Sequence, residues 1–313
     1  MVKQWIGAMS MDEARKREQP CSRCCKSKKN TILTSDLREA IVDADIIVES
    51  VTAQGLRSVL LKIVELGLTL PSIVCTSKGI EQDSGFLLSE VITDVLGENY
   101  KSPIGCISGP SLAKEVNKKL PTSVIGASYD YDLMMQICEL FSTPYFCVYP
   151  HNDLTGVFFG GAMKNIFSII CAISDKLGFG QNAKSALITF GLDEMHKLGE
   201  VKGCCLETLN GLSGLGDLCA TCFSTSSRNY KFGALLVEGY TPDQAQQKLG
   251  MVVEGMYTCV SARHLAHTHG IDAPFIEAVY SIIYENIDPK KAIDSLLFSS
   301  VVKQESACCV DQE

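Results

Sequence analysis

The chain has 313 residues, of which 46% are hydrophobic and 20% are charged, and its formal net charge is −8. The length suggests two domains, and the composition is that of a folded globular protein. The negative charge argues against nucleic acid or an acidic membrane as the main partner, because both attract basic surfaces.

Fifteen cysteines are scattered along the chain, and no apolar segment typical of a signal peptide precedes them. Free thiols in a reducing cytoplasm are therefore expected. Cys21 and Cys24 form a CxxC pair without a second half at zinc-like spacing, and the late histidines lack acidic partners, so no metal site is expected. The longest apolar run, 166–173, is too short to span a bilayer, so no membrane insertion is expected.

The first half of the chain alternates strand-like and helix-like segments. In chain order they are a helix capped by Ser35 and ending at Val42, a strand at 46–51, a helix at about 54–66, a strand at 72–76, a helix at about 86–96, and strands at 104–107, 122–127 and 145–148. This alternation, with short connections, predicts a parallel sheet. Ligands of such sheets bind beyond the carboxyl ends of the strands, where 77–79 and 108–111 lie.

The strand signals fade after Pro150, and long helical patterns replace them. Isoleucines at 166, 169, 170 and 173 fall on one helical face. The sequence therefore predicts a dinucleotide-binding domain over 1–150 and an α-helical substrate and catalytic domain over 151–313.

Lys164 lies in a glycine-containing segment, 160–165, that opens the predicted long helix. It lies off the isoleucine face, on a stripe of small or polar residues with Ser168, Cys171 and Asp175. A lysine at such a position can point into a cleft, lose basicity and exchange protons. The alternative is a solvated surface lysine.

The glycine-rich turn 211–218 ends in Asp217-Leu218, and no strand precedes it, so it is not a dinucleotide loop. Its glycines favour close approach of a helix end, which would place Asp217 to orient a lysine or accept a substrate hydroxyl. The alternative is a helix N-cap. Residues 178–183 match G-x-G-x-x-A but follow a helix, so they are rejected as a nucleotide fingerprint.

The segment 226–229 offers two hydroxyls, a guanidinium and an amide in consecutive positions. Arginine binds phosphate in bidentate fashion, and the N–H groups of a helix start complete such an anion site. The alternative is an ordinary capped helix with a surface arginine at Arg228.

Six motifs together resemble bacterial-type NAD(P)-dependent glycerol-3-phosphate dehydrogenases over about residues 34–288. They are SKGIE at 77–81, SGPSLAKEV at 108–116, GGAMKN at 160–165, GLSGLGDL at 211–218, SRNYKFG at 227–233 and VVEG at 252–255. The family reduces dihydroxyacetone phosphate to sn-glycerol 3-phosphate, and the reverse, and its product feeds glycerophospholipid synthesis. The resemblance implies a Rossmann-like domain, a helical second domain, NAD or NADP as cofactor, and a homodimer.

The resemblance also implies the roles of individual residues. Lys164 matches the catalytic lysine, which also contacts the substrate. The other implied substrate contacts are Lys78, Gly109, Ser111, Asp217, Ser227, Arg228 and Asn229. The implied cofactor contacts are Lys78, Ala113, Arg228, Val252 and Glu254. Lys164 would then donate a proton, Lys78 would stabilise the developing charge, and Arg228 would hold the phosphate.

The start of the sequence departs from the family. Members begin with a strand and a G-x-G-x-x-G-type loop, whereas 2–5 resembles their second strand and Gly7 replaces a frequent basic residue. The first βα unit is therefore expected to be missing, with unpaired strand edges as a result. Three alternatives stay open: an enzyme whose start is missing from the sequence, a catalytically silent phosphate-ligand-binding protein, and a related reductase such as a 3-hydroxyacid dehydrogenase or ketopantoate reductase.

Overall fold

A computed structural model describes residues 5–6 and 34–297 of the chain. The expectations for 2–4, for Gly7 and for the Cys21–Cys24 pair lie outside the described residues.

The described strands form one six-stranded sheet whose spatial order follows the chain order. The strands are β1 (Trp5–Ile6), β2 (Ile46–Glu49), β3 (Ser72–Cys75), β4 (Ile104–Ser108), β5 (Thr122–Ser128) and β6 (Phe146–His151). Strands β1 to β4 are parallel, and β5 is parallel to β6. The predicted α/β class is confirmed, but a fully parallel sheet was wrong, because β4 and β5 pair antiparallel.

The short connection between β4 and β5 explains this antiparallel pair. Its only helix, α4 (Ala113–Asn117), has five residues, which at 1.5 Å per residue spans about 7.5 Å. A parallel crossover usually needs a full helix to carry the chain back along the sheet. Here the chain turns at the carboxyl end of β4 instead, so that Ser108 pairs with Ile125. The turn after β4 therefore stays at the edge where ligands of such sheets bind.

Short helices complete the sheet half of the chain. They are α1 (Leu37–Ile41), a 3₁₀ turn (Ala53–Gly55), α2 (Leu56–Val64), α3 (Leu88–Leu96) and α5 (Tyr131–Phe141). The sequence predicted Ser35 as the cap of helix α1, but this was wrong, because Asp36 caps the helix. The Asp36 carboxylate accepts hydrogen bonds from the backbone N–H groups of Arg38 (2.8 Å) and Glu39 (3.4 Å).

Alternating side chains of the central strands are buried on both faces of the sheet. Ile47 and Ile73 belong to the large core that includes the apolar sides of α2 and α3. Ile46, Val48 and Val74 belong to a second core against α5. Burial on both faces is typical of parallel strands covered by helices, and it leaves the strand ends as the exposed polar edge.

Only helices follow β6 in the described part of the chain. They are α6 (Leu154–Leu177), α7 (Gly180–Val201), α8 (Leu206–Asn210), a π-helical turn (Leu212–Gly216), α9 (Asp217–Cys222), α10 (Arg228–Val237), α11 (Pro242–Leu249), α12 (Glu254–His269), α13 (Pro274–Tyr284) and α14 (289–297). A helical second half is thus confirmed, whereas the division into domains at residue 150 stays a prediction.

Helix α6 is the central helix of the second half. Every residue from Gly156 to Ser174 is buried. Its length and composition would suffice to cross a membrane, but 94% of its most apolar stretch is covered by the rest of the protein. Helix α6 is therefore a core helix, and a polar side chain on it must find partners inside the protein.

Candidate active site

A cavity of about 430 Å³ lies where the carboxyl ends of β2 to β4 face the helices α6, α9, α10 and α12. Eight of the predicted site residues line it: Lys78, Ser111, Ala113, Lys164, Ser227, Arg228, Asn229 and Glu254. The other three, Gly109, Asp217 and Val252, lie behind the lining and bond to residues in it. Residues that are far apart in the sequence thus meet at one place.

Two lysines share one buried carboxylate. The Lys164 ammonium on α6 is 2.5 Å from Oδ1 of Asp217 and 3.0 Å from Oγ1 of Thr221. The Lys78 ammonium, just beyond β3, donates to Oδ2 of the same Asp217 and to the Gly109 carbonyl at 3.1 Å. The single negative charge of Asp217 therefore holds two positive charges beside the cavity.

Close packing of two glycines puts Asp217 in this position. A Cβ atom on Gly160 would lie 3.0 Å from the Cα of Gly214. The π-helical turn can therefore press directly against α6, as the glycine-rich sequence predicted. Asp217 follows this turn as the first residue of α9, and its carboxylate reaches Lys164 one turn further along α6.

Burial changes the acid–base behaviour of Lys164, whose exposed fraction is 9%. Loss of hydration lowers the pKa of Lys164 to about 8. The negative charge of Asp217 acts in the opposite direction, and the positive charge of Lys78 lowers the pKa further. A solvated surface lysine, the alternative from the sequence, is wrong. A buried amine with a pKa close to neutral can both donate and accept a proton near physiological pH.

The segment at the start of α10 presents polar groups to the same cavity. Ser227 caps the helix and accepts a hydrogen bond from the Tyr230 N–H at 3.4 Å. Arg228 is exposed at the rim, where its Nη1 donates to the Val252 carbonyl at 3.3 Å. The cap and exposed arginine of the alternative interpretation are therefore present, but they lie within the cavity wall.

Two buried amides connect α6, α10 and α12 beneath this wall. Nδ2 of Asn229 donates to Oδ1 of Asn165 at 2.9 Å, and Oδ1 of Asn229 accepts from the Gly255 N–H at 3.0 Å. A Cβ atom on Gly255 would lie 2.7 Å from the Asn165 carbonyl, so only glycine permits this approach. The chain of bonds fixes Arg228 and Glu254, the neighbours of Asn229 and Gly255, relative to Lys164.

Glu254 is a buried acid on the sheet side of the cavity. Its Oε1 accepts from the Ala53 N–H at 3.2 Å, and its Oε2 has no hydrogen-bond partner among the described residues. Burial raises the pKa of Glu254 to about 7, while the Ala53 N–H and Arg228 act in the opposite direction. Glu254 thus lines the cavity with a buried acceptor oxygen that has no partner among the described residues.

Beyond β4, the turn at 109–113 supplies the remaining predicted contacts. The Gly109 carbonyl accepts from the Ser111 hydroxyl at 3.1 Å as well as from Lys78. Ser111 and Ala113, the first residue of α4, face the cavity.

Among the residues that sequence reasoning missed are three that line the cavity, Asn165, Thr221 and Ser77, and Glu49, which bonds to Ser77. Thr221 lies one helical turn after Asp217, a spacing that signals a shared helix face. Glu49 is a lone acid in a strand of otherwise apolar residues, which is also a usable signal. Its Oε1 accepts from the Val51 N–H at 2.5 Å and from the Ser77 hydroxyl at 2.9 Å, and burial raises its pKa. Glu49 thus ties together the loops beyond β2 and β3.

Two family models match the chain. The N-terminal model of NAD-dependent glycerol-3-phosphate dehydrogenase matches residues 9–134, and the C-terminal model of the same family matches residues 153–294. Together they cover both the sheet half and the helical half of the site.

Individual relatives agree with the family models. The glycerol-3-phosphate dehydrogenase [NAD(P)+] of Protochlamydia amoebophila is 52% identical over 289 residues, which is 92% of this chain and 86% of that protein. The enzyme of the same name from Chlamydia pneumoniae is 50% identical and covers 86% of this chain and 80% of its own.

Solved structures give the same result. The crystal structure of glycerol-3-phosphate dehydrogenase from Coxiella burnetii superposes with a TM-score of 0.80 at 38% identity, covering 84% of this chain and 79% of that one. The structure of the enzyme from Saccharomyces cerevisiae superposes with a TM-score of 0.72 at 28% identity. The match covers 85% of this chain and 79% of that one. Sequence, fold and cavity residues lead to one conclusion: the chain belongs to the NAD-dependent glycerol-3-phosphate dehydrogenase family.

Proposed function

We propose that this protein interconverts dihydroxyacetone phosphate and sn-glycerol 3-phosphate, with NAD or NADP as redox cofactor. The observation that carries the proposal is a single cavity in which Lys78 and Lys164 lie together with Arg228. A three-carbon ketone phosphate has a carbonyl for the ammonium groups and a phosphate for the guanidinium. No observation favours a silent binding protein or another reductase over this enzyme.

Lys164 is the proposed catalytic residue at the carbonyl end of the substrate. Reduction turns the carbonyl oxygen into an alkoxide, and the Lys164 ammonium donates the proton that this oxygen needs. In the reverse direction the neutral amine of Lys164 takes the proton from the hydroxyl group. Lys78 stabilises the charge that develops on the oxygen, and Asp217 orients both lysines.

At the other end of the substrate, the phosphate is proposed to bind at the start of α10. Arg228 offers a planar fork of donors that matches two phosphate oxygens, and Ser227 and Asn229 add polar groups beside it. Gly109 and Ser111 are proposed to contact the substrate from the turn beyond β4. Fixing the phosphate holds the carbonyl against Lys164, so that binding energy is used for orientation.

The cofactor is proposed to bind across the carboxyl ends of β2 to β4, in contact with Lys78, Ala113, Arg228, Val252 and Glu254. The unpartnered, buried Oε2 of Glu254 fits a ligand that carries hydrogen-bond donors, such as the hydroxyl and amide groups of a dinucleotide. A nicotinamide bound there supplies the hydride for reduction. Glu254 would accept a hydrogen bond from the cofactor. The Lys78 ammonium would lie where the cofactor and the substrate meet.

We also propose a cytoplasmic location, a homodimer and a role in supplying glycerophospholipid synthesis. The ten cysteines between residues 34 and 297 are free thiols, which is typical of proteins in a reducing compartment. The homodimer and the metabolic role rest on the family resemblance.

The decisive assay follows the oxidation of NADH and of NADPH with dihydroxyacetone phosphate, and with dihydroxyacetone as the phosphate-free comparison. We expect turnover with the phosphate ester and very little without the phosphate. Replacing Arg228 with methionine should lower kcat/KM for dihydroxyacetone phosphate by about 10- to 100-fold, the usual effect of losing charged hydrogen bonds.

The matched control is Arg38→Met, which removes an exposed arginine that bonds to the Leu66 carbonyl, away from the cavity. It should leave kcat/KM unchanged. Absence of turnover with both cofactors, or equal turnover of dihydroxyacetone and its phosphate, would contradict the proposed function.

A further inference from the structure

The segment 224–228, here called the phosphate segment, is a turn held partly by bonds within itself. It joins α9 to α10 and carries Ser226, Ser227 and Arg228, all of which line the cavity. The Ser227 N–H donates to the Ser224 carbonyl at 3.2 Å, and the Ser226 N–H to the Ser224 hydroxyl at 3.3 Å. These bonds shape the turn. Outside it, the Ser227 hydroxyl lies 3.5 Å from the Ser168 hydroxyl on α6, and Arg228 donates to the Val252 carbonyl.

One buried lysine contacts both ends of the phosphate segment. The Lys184 ammonium on α7 lies 5.0 Å from the ring centre of Phe223, which immediately precedes the segment. It lies 5.8 Å from the ring centre of Tyr230, two residues after Arg228. Both distances are within the range of cation–π attraction. Lys184 itself is 4% exposed, so its position is set by packing.

A carboxylate completes this cluster. Oδ2 of Asp175, near the end of α6, is 2.5 Å from the Lys184 ammonium and accepts a hydrogen bond from the Tyr230 hydroxyl at 2.8 Å. Asp175, Lys184 and Tyr230 therefore connect α6, α7 and α10. Since a buried ion pair is maintained only with good geometry on both sides, the cluster fixes the start of α10 relative to α6, the helix that carries Lys164.

We propose that Lys184 is a positioning residue for the substrate phosphate: it fixes both ends of the phosphate segment and so sets the distance of Arg228 from Lys164. This inference rests on the proposed function, because it takes the phosphate segment as the place where the substrate phosphate binds. Lys184 does not line the cavity, so its effect passes through Phe223, Tyr230 and Asp175.

Lys184→Met tests the proposal, because it keeps the length of the side chain and removes its charge. We expect KM for dihydroxyacetone phosphate and the inhibition constant of inorganic phosphate both to rise about tenfold, with kcat within about twofold of the original, the pattern of lost ground-state binding. Lys184→Arg should restore most of the affinity, because it keeps the charge and the contact with the rings.

The matched control on the same helix is Lys197→Met. The Lys197 side chain is half exposed and forms an ion pair with Asp193. It should change neither constant. A purely structural role of Lys184 would reduce the amount of active enzyme, and hence kcat, without changing KM for the phosphate ester. That outcome, or an unchanged KM in Lys184→Met, overturns the proposal.

A second variant decides the matter if Lys184→Met does not fold. Tyr230→Phe keeps the ring and removes only the hydroxyl that binds Asp175. It should raise KM for dihydroxyacetone phosphate by about two- to fivefold in a stable protein, the effect of one weakened hydrogen bond; an unchanged KM overturns the inference. If the unaltered enzyme turns over no dihydroxyacetone phosphate, the proposed function fails, and the inference fails with it.

Discussion

At the scale of single residues, the shared carboxylate of Asp217 determines the electrostatics of the site. Two ammonium groups, those of Lys78 and Lys164, face one carboxylate, so one positive charge remains uncompensated beside the cavity. A substrate with a phosphate and a developing alkoxide benefits from this excess, because the charge is already in position before the reaction.

Lys164→Met should reduce kcat by at least about 100-fold, since positioned acid–base groups contribute about 10²- to 10⁴-fold. The protein should stay folded, because Asp217 keeps its bond to Lys78. Steady-state kinetics and circular dichroism measure the two effects.

The control for this variant is Lys176→Met on the same helix, which removes an exposed lysine paired with Glu238. Its kcat should equal that of the original protein. If Lys164→Met and Lys176→Met had equal activity, Lys164 would have no catalytic role.

The pH dependence of the reaction should report the pKa of Lys164, which burial lowers to about 8. The ammonium form exists below this pH and is needed for reduction, so kcat/KM for dihydroxyacetone phosphate should fall as the pH rises through about 8. Oxidation of sn-glycerol 3-phosphate needs the neutral amine, so its kcat/KM should rise over the same interval. Rates measured in both directions test this, and parallel profiles without opposite trends would refute it.

The sequence could predict which residue types would form the site, but not the burial of Lys164. Spacing placed Lys164 off the apolar face of its helix, which left both a cleft position and a solvated side chain open. Burial follows instead from the packing of α9 and α10 around that face, and such packing between distant segments leaves no local periodicity. Asn165, by contrast, adjoins Lys164 in the sequence, and Thr221 lies one helical turn after Asp217, so a local signal existed for both.

At the scale of elements, the π-helical turn before α9 controls where Asp217 lies. Gly214→Ala would place a Cβ atom 1.9 Å from the Leu209 carbonyl, so the turn has to move. We expect the free energy of unfolding to fall by about 1–3 kcal/mol or more, as for other overpacked sites. We also expect kcat to fall, because Asp217 moves with the turn. Urea unfolding and initial rates measure both.

Gly216→Ala is the matched control for this element. It adds the same atom in the same turn, but its closest neighbour would lie 3.5 Å away, an ordinary contact. Equal stability and activity of the two alanine variants would show that the close approach at Gly214 does not position Asp217.

The positions of most elements in the sheet half could be predicted from hydrophobic periodicity alone. The strand predicted at 72–76, for example, is observed at Ser72–Cys75. The direction of β5 could not be predicted in this way, because it depends on whether the connection between β4 and β5 is long enough to cross the sheet. The connection contains only the five helical residues of α4, and this short length decides against a crossover.

At the scale of the whole molecule, the cavity lies between the sheet and the helices, so a ligand contacts both. sn-Glycerol 3-phosphate at about 100 times its Kd should add about 2.7 kcal/mol to the free energy of unfolding and raise Tm accordingly. Thermal unfolding with and without the ligand measures this. Arg228→Met should show little of the increase at the same concentration; an equal increase would place the phosphate elsewhere.

The burial of helix α6 also determines how the protein responds to heat. The backbone amides around Lys164 lie in the centre of the core and can exchange with solvent only when most of the protein opens. Loops at the cavity rim can open and reclose without disturbing that helix. Heat should therefore expose the backbone of α6 only at the temperature at which the molecule as a whole melts, whereas the loops at the rim open at lower temperature.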